Sequence, residues 1–393
     1  MPEYAVSEIR PADRNGRREM EALLLEAGIR RDENLDYSCG IYDDEGALCG
    51  TGSLFRDSLR CLAVRDSLRG EGLMEQLVTH LMQVEFSRGN THLFVYTKCG
   101  SAFFFKGLGF HEIARIPDEI VFLENRRDGF RSYIDRLKRE TERRESGAEK
   151  TGEKPAGAAP DRERSEGAAA GGERSAGAAP GTPAAAGTAA IVMNANPFTR
   201  GHRYLVEKAA AENALVHLFI LSADEDLFPF AVRKRLVREG IAGLHNVILH
   251  ESGPYIISSA TFPSYFQRDD DDVIRSHASL DAAVFSRIAG ALGIGKRYVG
   301  SEPFSHVTGI YNEILGEMLP ASGVELKVIP RLENGGRAVS ASDVRALLKE
   351  NGGKGIPEAL RELLPDSTAA FLESPEAAPV LERIREAGEV RHY

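Results

Sequence analysis

Two short runs carry the side chains best suited to chemistry. The first is Asn194-Ala-Asn-Pro-Phe-Thr-Arg-Gly-His202, set between an apolar stretch and a helical one. Within it, Thr199, Gly201 and His202 form a T-x-G-H element. A helix start offers unbonded backbone N–H groups and the positive end of the helix dipole, both favourable to phosphate. Gly201 would let a phosphate approach the backbone, and His202 could donate a hydrogen bond to charge developing on it. Asn194, Asn196, Pro197 and Phe198 complete the loop as candidate contacts to a nucleotide. The competing reading is a loop whose histidine only caps or packs. The second run is Val339-Ser-Ala-Ser-Asp-Val-Arg345. Ser340 or Ser342 suits a helix N-cap, with Arg345 one turn inside. Two hydroxyls, unbonded N–H groups and a guanidinium would clamp β- and γ-phosphates. The competing reading is a capped surface helix. The two runs, each after an apolar strand, point together to ATP.

The elements that must position these runs alternate. TAAIVMN, LVHLFIL, NVILH, RYVGS and ELKVIPR read as strands. GHRYLVEKAAAENA, FAVRKRLVREGIAGL, LDAAVFSRIAGALGI, TGIYNEILGEML and SDVRALLKEN read as helices. This alternation predicts βαβ units, a parallel sheet and ligands at the C-terminal ends of its strands. The N-terminal part differs. EMEALLLEAGI predicts a helix, CGIYD, ALCGTGSLF and LRCLAVR predict antiparallel strands, and LRGEGLMEQLVTHLMQVEFSRG predicts a glycine turn opening a helix. HLFVYT is a further strand.

With order, spacing and flanks in place, the two runs resemble the HxGH and ISSTxxR pair of the nucleotidyltransferase superfamily. A narrower resemblance, to the citrate lyase ligase family, covers nearly all of residues 189–365. It rests on IVMNANPFTRGHRYLVEKA, ATFPSYFQRDDDD, LDAAVFSRIAGALGI, RYVGSEPFSHVTGIYNEIL and VSASDVR. It implies a Rossmann-like parallel-sheet domain that joins acetate and ATP to give acetyl-AMP and pyrophosphate. The acetyl group would then pass to the thiol of a CoA-like prosthetic group on the acyl carrier subunit of citrate lyase. His202 and Thr199 would face the α- and β-phosphates, and Ser340, Ser342 and Arg345 the β- and γ-phosphates. Mg²⁺ would ride on the phosphates and water, without a protein metal site. At Gln267-Arg268 the chain departs from the apolar-Lys pair expected there.

The N-terminal part carries its own resemblance. Arg69-Gly-Glu-Gly72 is similar to the pyrophosphate loop of GNAT acetyltransferases, and Phe103-Phe-Phe-Lys-Gly-Leu-Gly-Phe110 to their F-Y-x-x-x-G-F element. This implies a GNAT-like α+β fold with Arg69, Gly70 and Gly72 as cofactor contacts. Acetyl transfer does not follow from fold. Tyr96 and Cys99 are the acid–base candidates, and core packing is the competing role for each. The resemblance points instead to binding of the carrier's CoA-like arm, and the competing reading is a retained fold with a purely structural or unrelated role.

Composition sets the frame. The 393 residues exceed one ordinary domain. The expected division is 1–144, GNAT-like; 145–188, a flexible tether; and 189–393, nucleotidyltransferase. Residues 145–188 contain no Leu, Ile, Val, Met or aromatic residue, so they cannot offset the entropy of ordering by burial. The net charge of −10 argues against a nucleic-acid partner. No apolar run approaches the roughly 18–20 residues of a membrane span, and the N-terminus shows no secretory signal. Cys39, Cys49, Cys61 and Cys99 lack metal spacing and read as buried reduced thiols of a cytoplasmic protein. Arg233, Lys234 and Arg235 read as a solvated helix face, with a reach to triphosphate as the alternative. Asp269 to Asp272 read as a solvated loop. Two other functions fit the same motifs. One is an adenylyltransferase acting on a phosphate acceptor. The other is an acetyl-CoA-dependent acetyltransferase.

Overall fold

The computed structural model describes residues 5–32, 34–146, 187–223, 227–256, 270–301, 306–352 and 356–387. The N-terminal strands are β1 (Val6–Glu8), β2 (Tyr37–Tyr42), β3 (Leu48–Phe55), β4 (Ser58–Val64), β5 (Phe94–Lys98), β6 (His111–Ile116) and β7 (Ile120–Glu124). They form one sheet in the order β1-β2-β3-β4-β5-β7-β6. The helices are α1 (Arg14–Glu26), α2 (Leu73–Ser87), α3 (Ala102–Gly107) and α4 (Gly129–Glu145). All pairs are antiparallel except β4 and β5, which run parallel and pair only through Ser58 with Phe94 and Leu59 with Val95. Beyond Leu59 the two strands fork, next to the left-handed Cys61 (φ 50°). A parallel fork followed by a glycine loop and a helix is the GNAT-like arrangement that the loop motif implies. Tyr96 lies buried on β5, stacked on Phe122 at 4.4 Å, so its role is packing.

The C-terminal part runs β8 (Thr188–Met193), α5 (Arg200–Glu212), β9 (Leu215–Ile220), α6 (Phe230–Gly240), β10 (Val247–Glu251), α7 (Asp270–Leu292), β11 (Lys296–Gly300), α8 (His306–Met318), β12 (Glu325–Ile329) and α9 (Ala341–Glu350), with short helices after it. Its strands form a parallel sheet in the order β10-β9-β8-β11-β12. The chain reverses its direction of winding beside the central β8, so the loops after β8 and β11 open the crevice where ligands settle in such sheets. Burial alternates along β8. Ala189, Ile191 and Met193 face the core under α5 and α6, and Ala190 faces the opposite core. The expected α/β fold is therefore present with every strand and helix named from the sequence. One element differs. Asp270–Asp272 open α7 rather than form a loop, and Asp271 meets His306 at 2.8 Å.

The two parts do not hang on a tether as separate bodies. Ile113, Phe122, Phe130 and Tyr133 share one apolar core with Phe219, Tyr255, Leu280 and Phe285. Each large side chain buried there contributes about 1.5–3 kcal/mol, against about 0–1 for an exposed ion pair. The core therefore fixes the docking, which is how a large apolar interface suppresses domain motion. Helix α4 also covers the edge strand β10. Arg136 donates to the Glu251 carbonyl at 3.2 Å and Arg144 to the His245 carbonyl at 3.1 Å. Below them Glu140 meets His250 at 2.6 Å, and His250 meets His217 at 2.9 Å. Burial alone would raise the Glu140 carboxyl, but His250, Arg136 and Lys234 hold it below its ordinary value. The tether expected over 145–188 lies, except for its ends, outside the described residues. Among the described residues no helix is long and apolar enough to cross a membrane.

Candidate active site

Strand β8 ends at Met193, and the loop to α5 turns through Ala195, a buried non-glycine residue at φ 54°. Such a conformation is costly outside glycine and persists only where neighbours impose it. Several neighbours do. Phe228 N–H donates to the Asn196 side-chain oxygen at 3.1 Å, and Thr368 Oγ1 donates to the Phe198 carbonyl at 2.8 Å. Arg200 donates its N–H to the Leu363 carbonyl at 2.9 Å and its Nε–H to the Leu364 carbonyl at 3.0 Å.

Thr199 caps α5, and His202 stands at the third helical position. Thr199 Oγ1 accepts from His202 N–H at 3.3 Å, and His202 Nδ1 accepts from Thr199 N–H at 3.1 Å. A backbone amide can only donate, so Nδ1 carries no proton. The Thr199 hydroxyl lies 2.9 Å from the same Nδ1 and completes the exchange as a donor. The neutral ring's one proton is therefore on Nε2. Enclosure of the ring, followed by the charges of Arg331 and Arg345, depresses the His202 pKa to about 4. At neutral pH His202 is an uncharged donor of fixed tautomer. Thr199 is 1% exposed and bound into this cap, so it positions His202 rather than facing a phosphate itself.

The second run folds against the first. A Cβ on Gly201 would lie 2.7 Å from the Val339 carbonyl oxygen, so glycine here lets backbone approach backbone. This corrects the reading of Gly201 as a gap for phosphate. Ser340 is the N-cap of α9, accepting from Asp343 N–H at 3.0 Å and donating to the Asp343 carboxylate at 2.7 Å. Arg345 donates to the Asn196 carbonyl at 2.6 Å and to Ser342 Oγ at 3.1 Å. The loop and the α9 start are thus one constellation. Phe198 is fully buried, with its ring beside Gly240, and belongs to the core rather than to a ligand surface. Pro197 is buried in the same loop.

Two arginines join the constellation without a motif to announce them. Arg331 stands just past β12 and donates Nε–H to the Ser301 carbonyl at 2.8 Å, which ties it to the end of β11. Its position directly after a parallel strand is the one sequence signal for it. Arg233, expected on a solvated helix face, is instead fully buried. Lys234 pairs with Glu251, and Arg235 pairs with Glu376 at 2.7 Å. Gln267, Arg268 and Asp269 fall outside the described residues.

Arg69, Gly70 and Gly72 lie in the other part of the chain, before α2. Gly70 and Gly72 have φ of 91° and 81°, with open space where a Cβ would stand. Arg69 is exposed and pairs with Asp66 at 2.7 Å. Cys99 is half-buried, its thiol 3.4 Å from the Ile116 carbonyl. A separate cleft of about 430 Å³ at the domain junction is lined by His92, Arg126, Ser132, Tyr133, Arg136 and Tyr255. Its basic side chains already have partners, Arg126 on Thr91 and His92 on Glu124.

Fold and constellation define a nucleotidyltransferase-like α/β domain fused to a GNAT-like domain. The sequence profile of the citrate lyase ligase C-terminal domain matches residues 188–372. The citrate (pro-3S)-lyase ligase of Klebsiella pneumoniae is 34% identical over 330 residues, 83% of each chain. That of Escherichia coli (strain K12) is 31% identical over 362 residues, 91% of this chain and 90% of its own. That of Haemophilus influenzae is 32% identical over 360 residues, 90% of this chain and 94% of its own. The chain belongs to the citrate lyase ligase family. A GNAT-family acetyltransferase from Staphylococcus aureus overlays 31% of this chain and 98% of its own at 14% identity, with a TM-score of 0.28. The N-terminal fold is defined by its strand fork rather than by that overlay.

Proposed function

We propose that this chain is an ATP-dependent ligase that activates acetate and delivers the acetyl group to the acyl carrier subunit of citrate lyase. An acetate oxygen attacks the α-phosphorus, and the bond to the bridging oxygen breaks. Pyrophosphate leaves with the electron pair. In the second step the thiolate of a CoA-like arm attacks the acetyl carbon, and AMP departs. The observation that carries the reading is the Nε2–H of His202, fixed by the Thr199 amide and set beside Arg345 and Arg331. A donor held in place beforehand can stabilise charge as it develops without reorganising during the reaction. Arg345, Ser342 and Arg331 would hold the β- and γ-phosphates, with Mg²⁺ on the phosphate oxygens. Arg69, Gly70 and Gly72 would receive the pyrophosphate of the carrier's arm at the start of α2.

The test is ATP–pyrophosphate exchange. Exchange that requires acetate supports the reading. Exchange driven instead by a phosphate-bearing acceptor would replace it with adenylyl transfer to phosphate. Acetyl-CoA consumption without ATP would make the N-terminal domain the catalyst.

A further inference from the structure

Burying a guanidinium is costly unless its donors are met, yet Arg233 is fully buried in the first turn of α6. Its neighbours Lys234 and Arg235 reach carboxylates instead. Arg233 turns inward, under the C-terminal ends of β8 and β9. Nε–H donates to the Phe228 carbonyl at 3.0 Å. Nη1 donates to the Leu221 carbonyl at 2.9 Å, and to both the carbonyl and the side-chain oxygen of Asn194 at 2.8 Å. Nη2 donates to the Ala223 carbonyl. One planar fork therefore ties the first residue after β8 to the loop after β9.

The contact with the Asn194 side chain has a chemical consequence. Arginine has donors only, so the end of the amide that meets it must be the oxygen. The Asn194 NH₂ is consequently the end turned away from the guanidinium. The same strand-to-helix loop is gripped on its far side by Arg345 through the Asn196 carbonyl. The donor amide thus stands at the head of a loop that ends in His202.

We infer that Arg233 is a positioning residue of the nucleotide site, orienting Asn194 so that its NH₂ serves as a donor to the nucleotide's phosphates. This rests on the reading of the site as ATP-activating. Lysine cannot replace arginine here, because one ammonium point cannot reproduce a planar fork.

The test uses the full chain and ATP–pyrophosphate exchange with acetate. Asn194→Asp keeps an oxygen for Arg233, in a stronger charge-assisted bond, and removes the donor. Its melting temperature is expected to match or exceed the parent's, while kcat/KM for ATP falls about tenfold or more, the scale of one lost donor. Arg233→Lys is expected to lower kcat/KM about tenfold, and less than about twofold further in an Asn194→Ala background, because coupled residues are not additive. Equal penalties in both backgrounds overturn the inference. If Arg233→Lys does not fold, Asn194→Asp and Asn194→Ala decide alone, and parental kcat/KM in either sinks the proposal. Absence of acetate-dependent exchange in the parent chain would instead sink the reading of the site.

Discussion

The chain has two glycine-bearing loops that open helices, and they are built in opposite ways. The loop before α5 is gripped by Arg345 and braced by Leu363, Leu364 and Thr368, and its histidine has a fixed tautomer. The loop before α2 has an exposed arginine on an aspartate and two left-handed glycines facing open space. Chemistry on phosphorus demands donors held in place before the charge develops. Docking a mobile arm needs only accessible N–H groups and room. The difference suits the roles proposed above, activation at the first loop and reception at the second.

The largest effect should come from breaking the first loop at its donor. His202→Ala is expected to lower acetate-dependent exchange about 10²–10³-fold, the usual cost of one preorganised donor. It also removes the acceptor for Thr199 N–H, so some stability is lost. Circular dichroism and melting would confirm that the fold survives, and near-parental exchange by a folded variant would refute the role. Gly201→Ala comes next. Its Cβ would press on the Val339 carbonyl at 2.7 Å. Overpacking of this kind costs about 1–3 kcal/mol, and here it should separate the two motifs and reduce exchange about tenfold. An alanine variant with stability and exchange both intact would show that the two runs need not touch.

Much of this comparison is legible in the sequence. Parallel strands buried on both faces appear as short apolar runs, and β8 and β9 announce themselves that way, as does the T-x-G-H loop between them. What cannot be read is set by distant packing. Arg233 sits in a run of three cations that resembles any solvated helix face, and only the crossing of α6 beneath β8 and β9 turns it inward. The shared core is hidden for a similar reason. Phe122 and Phe130 look like ordinary core residues of the first part until Tyr255 and Phe285 are placed against them. Gly201 misleads because a close approach by backbone and one by phosphate require the same residue.

Acid sharpens the contrast by testing how tightly the catalytic part is built. Burial and nearby cations hold His202 near pKa 4, and burial with His250 holds His217 near 3, against 6.5 in the unfolded chain. A base with a depressed folded pKa contributes stability that is complete above about 6.5 and is lost as pH falls toward the folded value. Between pH 7 and 5.5 each histidine should remove up to about 1.4 kcal/mol. Melting temperature should therefore fall over this range, less steeply in His217→Phe. Nuclear magnetic resonance of the His202 ring, assigned with His202→Gln, should show no protonation at pH 6. A midpoint near 6.5 would mean that most of the donors there are imidazolium, and His202 would not hold one neutral tautomer.

The smallest effect on exchange is expected at the second loop, and there the comparison is most exposed. Gly72 has φ 81° at the start of α2, with nothing within 4 Å of where a Cβ would stand. Gly72→Glu should therefore cost about 1–2 kcal/mol of backbone strain without a clash, leaving the fold intact. Because the loop before α5 takes its contacts from other residues, acetyl-AMP formation should stay within about twofold of the parent. The glutamate nonetheless places bulk and negative charge where the pyrophosphate of the carrier's arm would lie. Acetyl transfer at limiting carrier should fall at least about tenfold, equivalent to about 1.4 kcal/mol of lost binding. Arg69→Ala should weaken transfer less, since its exposed pair with Asp66 makes it a steering charge rather than an anchor. If transfer is unchanged by Gly72→Glu, the N-terminal domain leaves the mechanism. Its contribution to this chain would then be the apolar face and helix α4, which close the β10 edge of the catalytic sheet.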